Sequence, residues 1–301
     1  MVSADLQWKT LSSERFKLAE APFWDAATQA LYWVDIPARL ACRQVQGQMQ
    51  QWRLPEVVSA FIPCESGDAL VTLASGVYRL DLNSPFEQPA LTLFCVADPV
   101  AGNRANEGRC DAQGQLWLGS MQNNIAEDGS DLPITRSSGG LFRIDKNANV
   151  TPLLEGQGIV NTLLWKPDGS ELYSADTLKG ELFAYPIAAD GTLGERRIWA
   201  ESSACGAPDG SAMDAEGYVW NARWKGGCLL RYAPDGRLDQ LIQLPVKYPT
   251  SCVFGGKDLT TLYVTSARPA GDKHLADDSL DGAVLVAQIS VTGMACHRFA
   301  G

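Results

Sequence analysis

The chain predicts an all-β, six-bladed β-propeller whose ring closes between N- and C-terminal strands. Three observations carry that expectation. A short alternating strand, usually with an aromatic residue near its centre, recurs six times, and a second strand follows each copy. The interval of about 40 to 55 residues is the repeat length of a propeller blade. No stretch sustains a helical period, and turn residues punctuate the strands.

Taken in order, the leading strands are 31–35, 70–73, 116–119, 172–175, 219–222 and 262–265. Their followers are 40–45, 76–80, 140–144, 180–185, 227–232 and 282–286. Pro167-Asp168-Gly169, Pro234-Asp235-Gly236, Asp190-Gly191 and Gln113-Gly114 supply the residues that tight reversals require. The stretch 294–299 is expected to complete the first blade by pairing with early residues, hiding sheet edges that invite aggregation. A pair of β-sandwiches is the alternative. Six equivalent units favour the closed ring, because each blade needs a neighbour on both sides. The whole chain, 1–301, then reads as one domain, larger than most because a ring grows by adding sheets.

A hydrophobic fraction of 46% is ample for a core and argues against disorder. The net charge of −10 repels polyanions, and no basic run exceeds Arg196-Arg197. Nucleic acid and anionic membrane surfaces are therefore unlikely partners to expect from this balance. The first residues lack the basic and apolar segments of a signal peptide, and no apolar run approaches the ~20 residues that span a bilayer. Eight cysteines without a CxxC pair read as reduced, mostly buried thiols, so the expected compartment is the cytoplasm.

Aligning the six units on their first turn brings a polar residue to the start of each: Glu20, Ser59, Asn106, Asn161, Asp209 and Thr250. In a propeller the first strand of a blade lines the axis, so one register makes a ring around one mouth of the channel. Any one of these residues alone reads as an ordinary strand start, and Pro208-Asp209-Gly210 as an ordinary turn. However, the turn of that unit already exists at 214–217, which puts Asp209 at the strand's other end. Two carboxylates and two carboxamides converging away from water would cost several kcal/mol unpaired. A cation resolves that conflict. Glu20, Asn161 and Asp209 offer hard oxygen donors suited to one divalent ion, Ca²⁺ first, with Mg²⁺, Mn²⁺, Zn²⁺ and Fe²⁺ as further candidates. Three protein ligands leave positions open for water and substrate. Arg104, two residues before Asn106 and hence on the same side of an extended strand, suits a polyol or carboxyl oxygen.

These residues resemble the gluconolactonase family, which includes senescence marker protein (regucalcin) and luciferin-regenerating enzyme, and are nearest in kind to its bacterial sugar lactonases. The carriers are 18–24 with 31–35, then 103–111 with 117–121, Asn161 before 165–169, 206–210 with Trp220, 250–256 and 262–268. The resemblance implies a six-bladed propeller with a divalent metal on Glu20, Asn161 and Asp209, and substrate-binding roles for Arg104 and Asn106. Three departures stand out. Glu107 occupies a position where Asp is usual, Asn123 one where some members place a substrate-contacting Glu, and Thr162 one where Gly is frequent. Glu107 and Asn123 line the expected sugar pocket.

The expected function is metal-dependent hydrolysis of a small sugar-acid (aldono-) lactone by water, with Asp209 as proton acceptor and ligand, and Arg104, Asn106 and Asn123 gripping hydroxyls. The alternatives are a metal-dependent esterase or organophosphate hydrolase, which would want a more apolar pocket, and a non-catalytic calcium-binding regulator. Nucleophilic triads fare badly. There is no Gly-x-Ser-x-Gly elbow, and His274 and His297 are the sole histidines, one in a polar loop and one in the presumed closing strand.

Overall fold

In the computed structural model, which describes residues 6–201 and 205–301, six four-stranded antiparallel sheets follow one another along the chain. The innermost strand of each is β2 (Ala19–Asp25), β6 (Val58–Pro63), β10 (Asn103–Cys110), β14 (Val160–Trp165), β18 (Ala207–Met213) and β22 (Pro249–Gly255). These six touch in a ring, each against the next and β22 back against β2. The chain is a six-bladed β-propeller, and no helix occurs among the described residues.

Local chemistry explains why two of the inner strands stop where they do. Asp111, just past β10, accepts from the backbone N–H groups of Gln113 and Gln115 at 3.0 and 2.9 Å, and from Trp117 Nε1 at 2.8 Å. Asp214, just past β18, repeats the device on Glu216, Tyr218 and Trp220. One carboxylate thus closes the turn and pins the aromatic residue of the next strand. Those aromatics then fill the space between blades. Tyr32 and Trp52 of the first blade meet Phe61 of the second with ring centroids 5.0 and 5.7 Å apart. Trp24 stacks on Tyr263 of the last blade at 5.6 Å. Trp33, Trp52 and Trp220 are fully buried, each worth roughly 2–3 kcal/mol of apolar burial.

Ring closure differs in detail from the sequence expectation. The last blade, not the first, is completed across the termini. β1 (Lys9–Thr10) adds to β24 (Leu285–Gln288), with Lys9 opposite Val286 and Thr10 opposite Leu285. β24 itself lies three residues later at its start than expected, because Gly282 (φ 84°) is still in the turn. The stretch 294–299 forms no blade strand. It runs beneath the ring, making isolated bridges from His297 to Cys110 and from Phe299 to Cys64, with Gly293 bridged to Asp214. Its N–H groups seek carbonyls at the ends of inner strands: Met294 on Met213 at 2.9 Å and Phe299 on Pro63 at 3.0 Å. Arg298 pairs with Asp25 of the first blade. The tail is therefore a strap over one mouth of the channel.

Candidate functional site

The six polar starts lie at one level of the ring, and the backbone shows why. At that level every inner strand slips register against its neighbour: between Glu20 and Phe23, Val58 and Ala60, Ala105 and Glu107, Asn161 and Leu163, Pro208 and Ser211, and Pro249 and Ser251. Six bulges interrupt the ladder together and re-aim the side chains at the channel mouth. Two of them carry non-glycine residues in the left-handed region, Ala21 at φ 49° and Thr162 at φ 53°. That conformation explains a preference for Gly where this chain has Thr162. The hydroxyl compensates: Thr162 Oγ1 donates to the Asp209 carbonyl at 2.6 Å and lies 2.8 Å from Ser211 Oγ.

Glu20 and Asp209 come from different blades and lie close enough that the charge of Glu20 acts on Asp209. Burial pushes Glu20 up to about 8, with the charge of Glu107 adding to it. Asp209 is driven well above the carboxylate range by burial and then by Glu20 and Glu107. Glu107 is raised by its own burial, and its carboxylate accepts from the Gly108 N–H at 3.1 Å. Against these acids stands Arg104, 3% exposed, which desolvation lowers to about 10. Two carboxyls in an environment that penalises both of their charges are suited to a divalent cation, which would favour the charged form of each.

The carboxamides continue the network. Arg104 Nη1 donates to Asn106 Oδ1 at 3.0 Å, and Asn106 Nδ2 donates to Asn161 Oδ1 at 3.1 Å. Asn161 Nδ2 donates to Thr177 Oγ1 at 2.8 Å, and that hydroxyl donates to the Pro208 carbonyl at 2.8 Å. Arg104, Asn106 and Asn161 are thus linked, and the chain of bonds ends on the carbonyl of Pro208, next to Asp209. Asn161 Oδ1 retains a second lone pair. Among the described residues no group of three or more His, Cys, Asp or Glu side chains is placed to hold a metal ion. The candidate centre differs in kind, since it combines two carboxylates with a carboxamide.

Asn123 stands apart from this group. Its Nδ2 donates to the Ile125 carbonyl at 2.9 Å and its Oδ1 accepts from the Ile125 N–H at 3.1 Å, so the amide closes its own loop. The neighbour Asn124 does reach the site, accepting from Arg104 Nε and Nη2 at 3.3 and 2.8 Å. Sequence reasoning passed over Asn124 and Thr177. The second has a readable signal, because it follows Asp176, the partner of Val160 in the hairpin that carries Asn161. The two histidines, His274 and His297, are exposed.

A cavity of about 760 Å³ lies at the opposite mouth of the channel. It is lined by the far ends of the inner strands, among them Arg109, Leu164 and Met213, and by the strap residues Met294 and His297. None of Glu20, Arg104, Asn106, Asn161 or Asp209 borders it. The ring of bulged strands, with its paired acids and amides, defines a propeller that presents a polar, acidic binding mouth.

The chain belongs to the SMP-30/gluconolactonase/LRE-like family, whose model matches residues 18–268. It is 35% identical to a 6-deoxy-6-sulfogluconolactonase of Pseudomonas putida over 94% of this chain and 95% of that protein. It is 36% identical to an L-arabinolactonase of Azospirillum brasilense over 97% of this chain and 95% of that one. Among solved structures, a calcium-binding protein, regucalcin, from Agrobacterium tumefaciens superposes with a TM-score of 0.86 at 28% identity, covering 98% of both chains.

Proposed function

We propose that this protein is a divalent-cation-dependent lactonase that opens a small sugar-acid lactone with water, the whole chain acting as one domain in the cytoplasm. One observation carries the reading: two carboxyls from separate blades, both raised by desolvation, come together at the channel mouth beside a network of arginine and amides. Relatives named as lactonases of two sugar acids support the chemistry, and the relative titled calcium-binding supports the cation. Free thiols at all eight cysteines suit a reducing compartment.

Glu20, Asn161 and Asp209 would hold the ion, and their hard oxygens favour Ca²⁺. Bound there, the ion would supply Lewis-acid polarisation of the lactone carbonyl. Asp209 takes a proton from the attacking water as the water oxygen bonds to the carbonyl carbon. The ring C–O bond then breaks, and the leaving oxygen departs as a hydroxyl carrying that proton. Both amide hydrogens of Asn106 are committed, one to the Val160 carbonyl and one to Asn161, so its task is to hold Arg104 and Asn161 in place. Arg104 Nη2 has one hydrogen beyond the one it gives to Asn124 and orients substrate with it. The buried arginine and amides favour a hydroxylated substrate over an apolar ester.

A pH-drop assay on a panel of aldonolactones, with calcium and with chelator, tests this directly. Hydrolysis that needs the ion is expected. Calcium binding without turnover on any lactone would leave a regulator, and turnover of apolar esters alone would leave an esterase.

A further inference from the structure

Cys205 precedes β18 by two residues, and Cys228 opens β20 (Cys228–Tyr232) on the same blade. Their sulfurs are 2.7 Å apart. A covalent S–S bond is about 2.05 Å, so the pair is a fraction of an ångström from bonding distance. The backbone around them is already fixed. Arg223 Nε donates to the Cys205 carbonyl at 2.7 Å, and Nη2 donates to the Gly206 carbonyl at 2.5 Å. On the other side Cys228 pairs with Arg223 in the β19–β20 ladder, where β19 is Val219–Trp224. Cys205 Sγ also lies 3.0 Å from the Gly226 carbonyl. Arg223 therefore holds both approaches, its guanidinium on the Cys205 side and its backbone on the Cys228 side.

Exposure divides the roles. Cys205 is half-buried and Cys228 buried, so an oxidant meets Cys205 first. We propose that Cys205 and Cys228 are a modification site, which hydrogen peroxide converts to a disulfide at the entry of β18, four residues ahead of Asp209. The Cys205 thiol loses its proton, the thiolate attacks the peroxide O–O bond to give a sulfenic acid, and the departing hydroxide takes up that proton as water. Cys228 then loses its proton, attacks Cys205 Sγ and expels hydroxide, which takes up that proton as a second water. Two thiols are oxidised by two electrons, and one peroxide is reduced to two waters. The closed loop spans the β18–β19 hairpin that carries Asp209, so the bridge rigidifies the candidate metal-binding blade.

The test reads mass, so it stands or falls independently of lactone hydrolysis. The protein is treated with a small excess of hydrogen peroxide, denatured and alkylated, then digested without reductant. The expected result is two fewer alkylated cysteines of the eight, a linked peptide holding Cys205 and Cys228, and full reversal by dithiothreitol. In C228S a dimedone adduct accumulates at Cys205 and the linked peptide disappears; C205S gives neither product. The oxidised wild type melts several degrees higher than the reduced protein, and the serine variants show no such rise. Eight alkylated thiols after peroxide, or a linkage that leaves out either cysteine, overturns the assignment.

Discussion

Glu20 and Asp209 are expensive residues to bring together, and their position makes a first expectation concrete. In chelator, desolvation and mutual repulsion oppose charge on the two carboxyls, which favours holding a proton there. A calcium ion replacing it should raise the melting temperature by mass action, by about 3 kcal/mol of stability at a hundredfold excess over Kd. Asp209→Asn or Glu20→Gln should abolish that rise and lower kcat/KM at least ~100-fold, while far-UV circular dichroism stays that of a folded β-protein. Calorimetric melts with and without calcium decide it. A calcium-induced rise that survives both substitutions would move the ion elsewhere. Thr162 offers a second test at the same scale. Its left-handed backbone stores about 1–3 kcal/mol, which the bonds to Asp209 and Ser211 offset. Thr162→Val keeps the strain and loses the hydroxyl, so urea unfolding should show a loss of about 1–3 kcal/mol. Thr162→Gly removes both and should stay within about 1 kcal/mol of wild type. A valine variant as stable as wild type would show that the hydroxyl holds nothing.

At the level of elements, the inner strands were legible and the strap was not. Each inner strand announces itself by a polar start, a run of mostly small or apolar residues and a turn rich in aspartate or glycine, which are local signals. The six bulges explain why Glu20 and Asn161 share a level although the spacing after them differs. No sequence pattern marks a bulge, since it is set by the neighbouring strand. The tail 294–299 misled for a related reason. Its alternation is that of a strand, yet its partners are carbonyls at the ends of three blades, far apart in sequence. Asn123 and Asn124 were separated only by which of two adjacent amides the loop turned outward. The strap makes its own prediction through Arg298, which donates to Asp25 Oδ1 at 2.9 Å, with Thr28 also bonded to that carboxylate. Although burial opposes the shift, these bonds hold the Asp25 carboxyl below its ordinary value of 3.8. A lowered acid contributes stability that is present above its unfolded value and lost as pH falls through its folded one. Arg298→Ala should therefore cost about 1–2 kcal/mol at pH 7, and the gap from wild type should close as pH falls from 4 toward 2. Denaturant melts at pH 7, 4 and 3 measure that gap; one that is constant with pH would assign Arg298 a packing role alone.

Over the whole molecule, the ring holds together by one short seam. Five blades are continuous in sequence, whereas the sixth depends on β1, two residues that pair with β24 across the ends of the chain. The Leu11 N–H extends the seam by donating to the Val284 carbonyl at 2.8 Å. Without it β24 becomes an open edge carrying Leu285, whose side chain is fully buried in the apolar cluster of the last two blades. Such an edge templates pairing with another chain. Leu11→Pro removes the donor and stiffens the approach to β1, so the expected outcome has two parts. The melting temperature should fall by several degrees, and the variant should self-associate with rising concentration in sedimentation velocity. Its calcium-induced stabilisation should persist, because Glu20, Asn161 and Asp209 sit on inner strands that the seam does not touch. A variant that unzips the seam and loses the ion together would mean that the mouth is shaped by ring tension rather than by the six bulges.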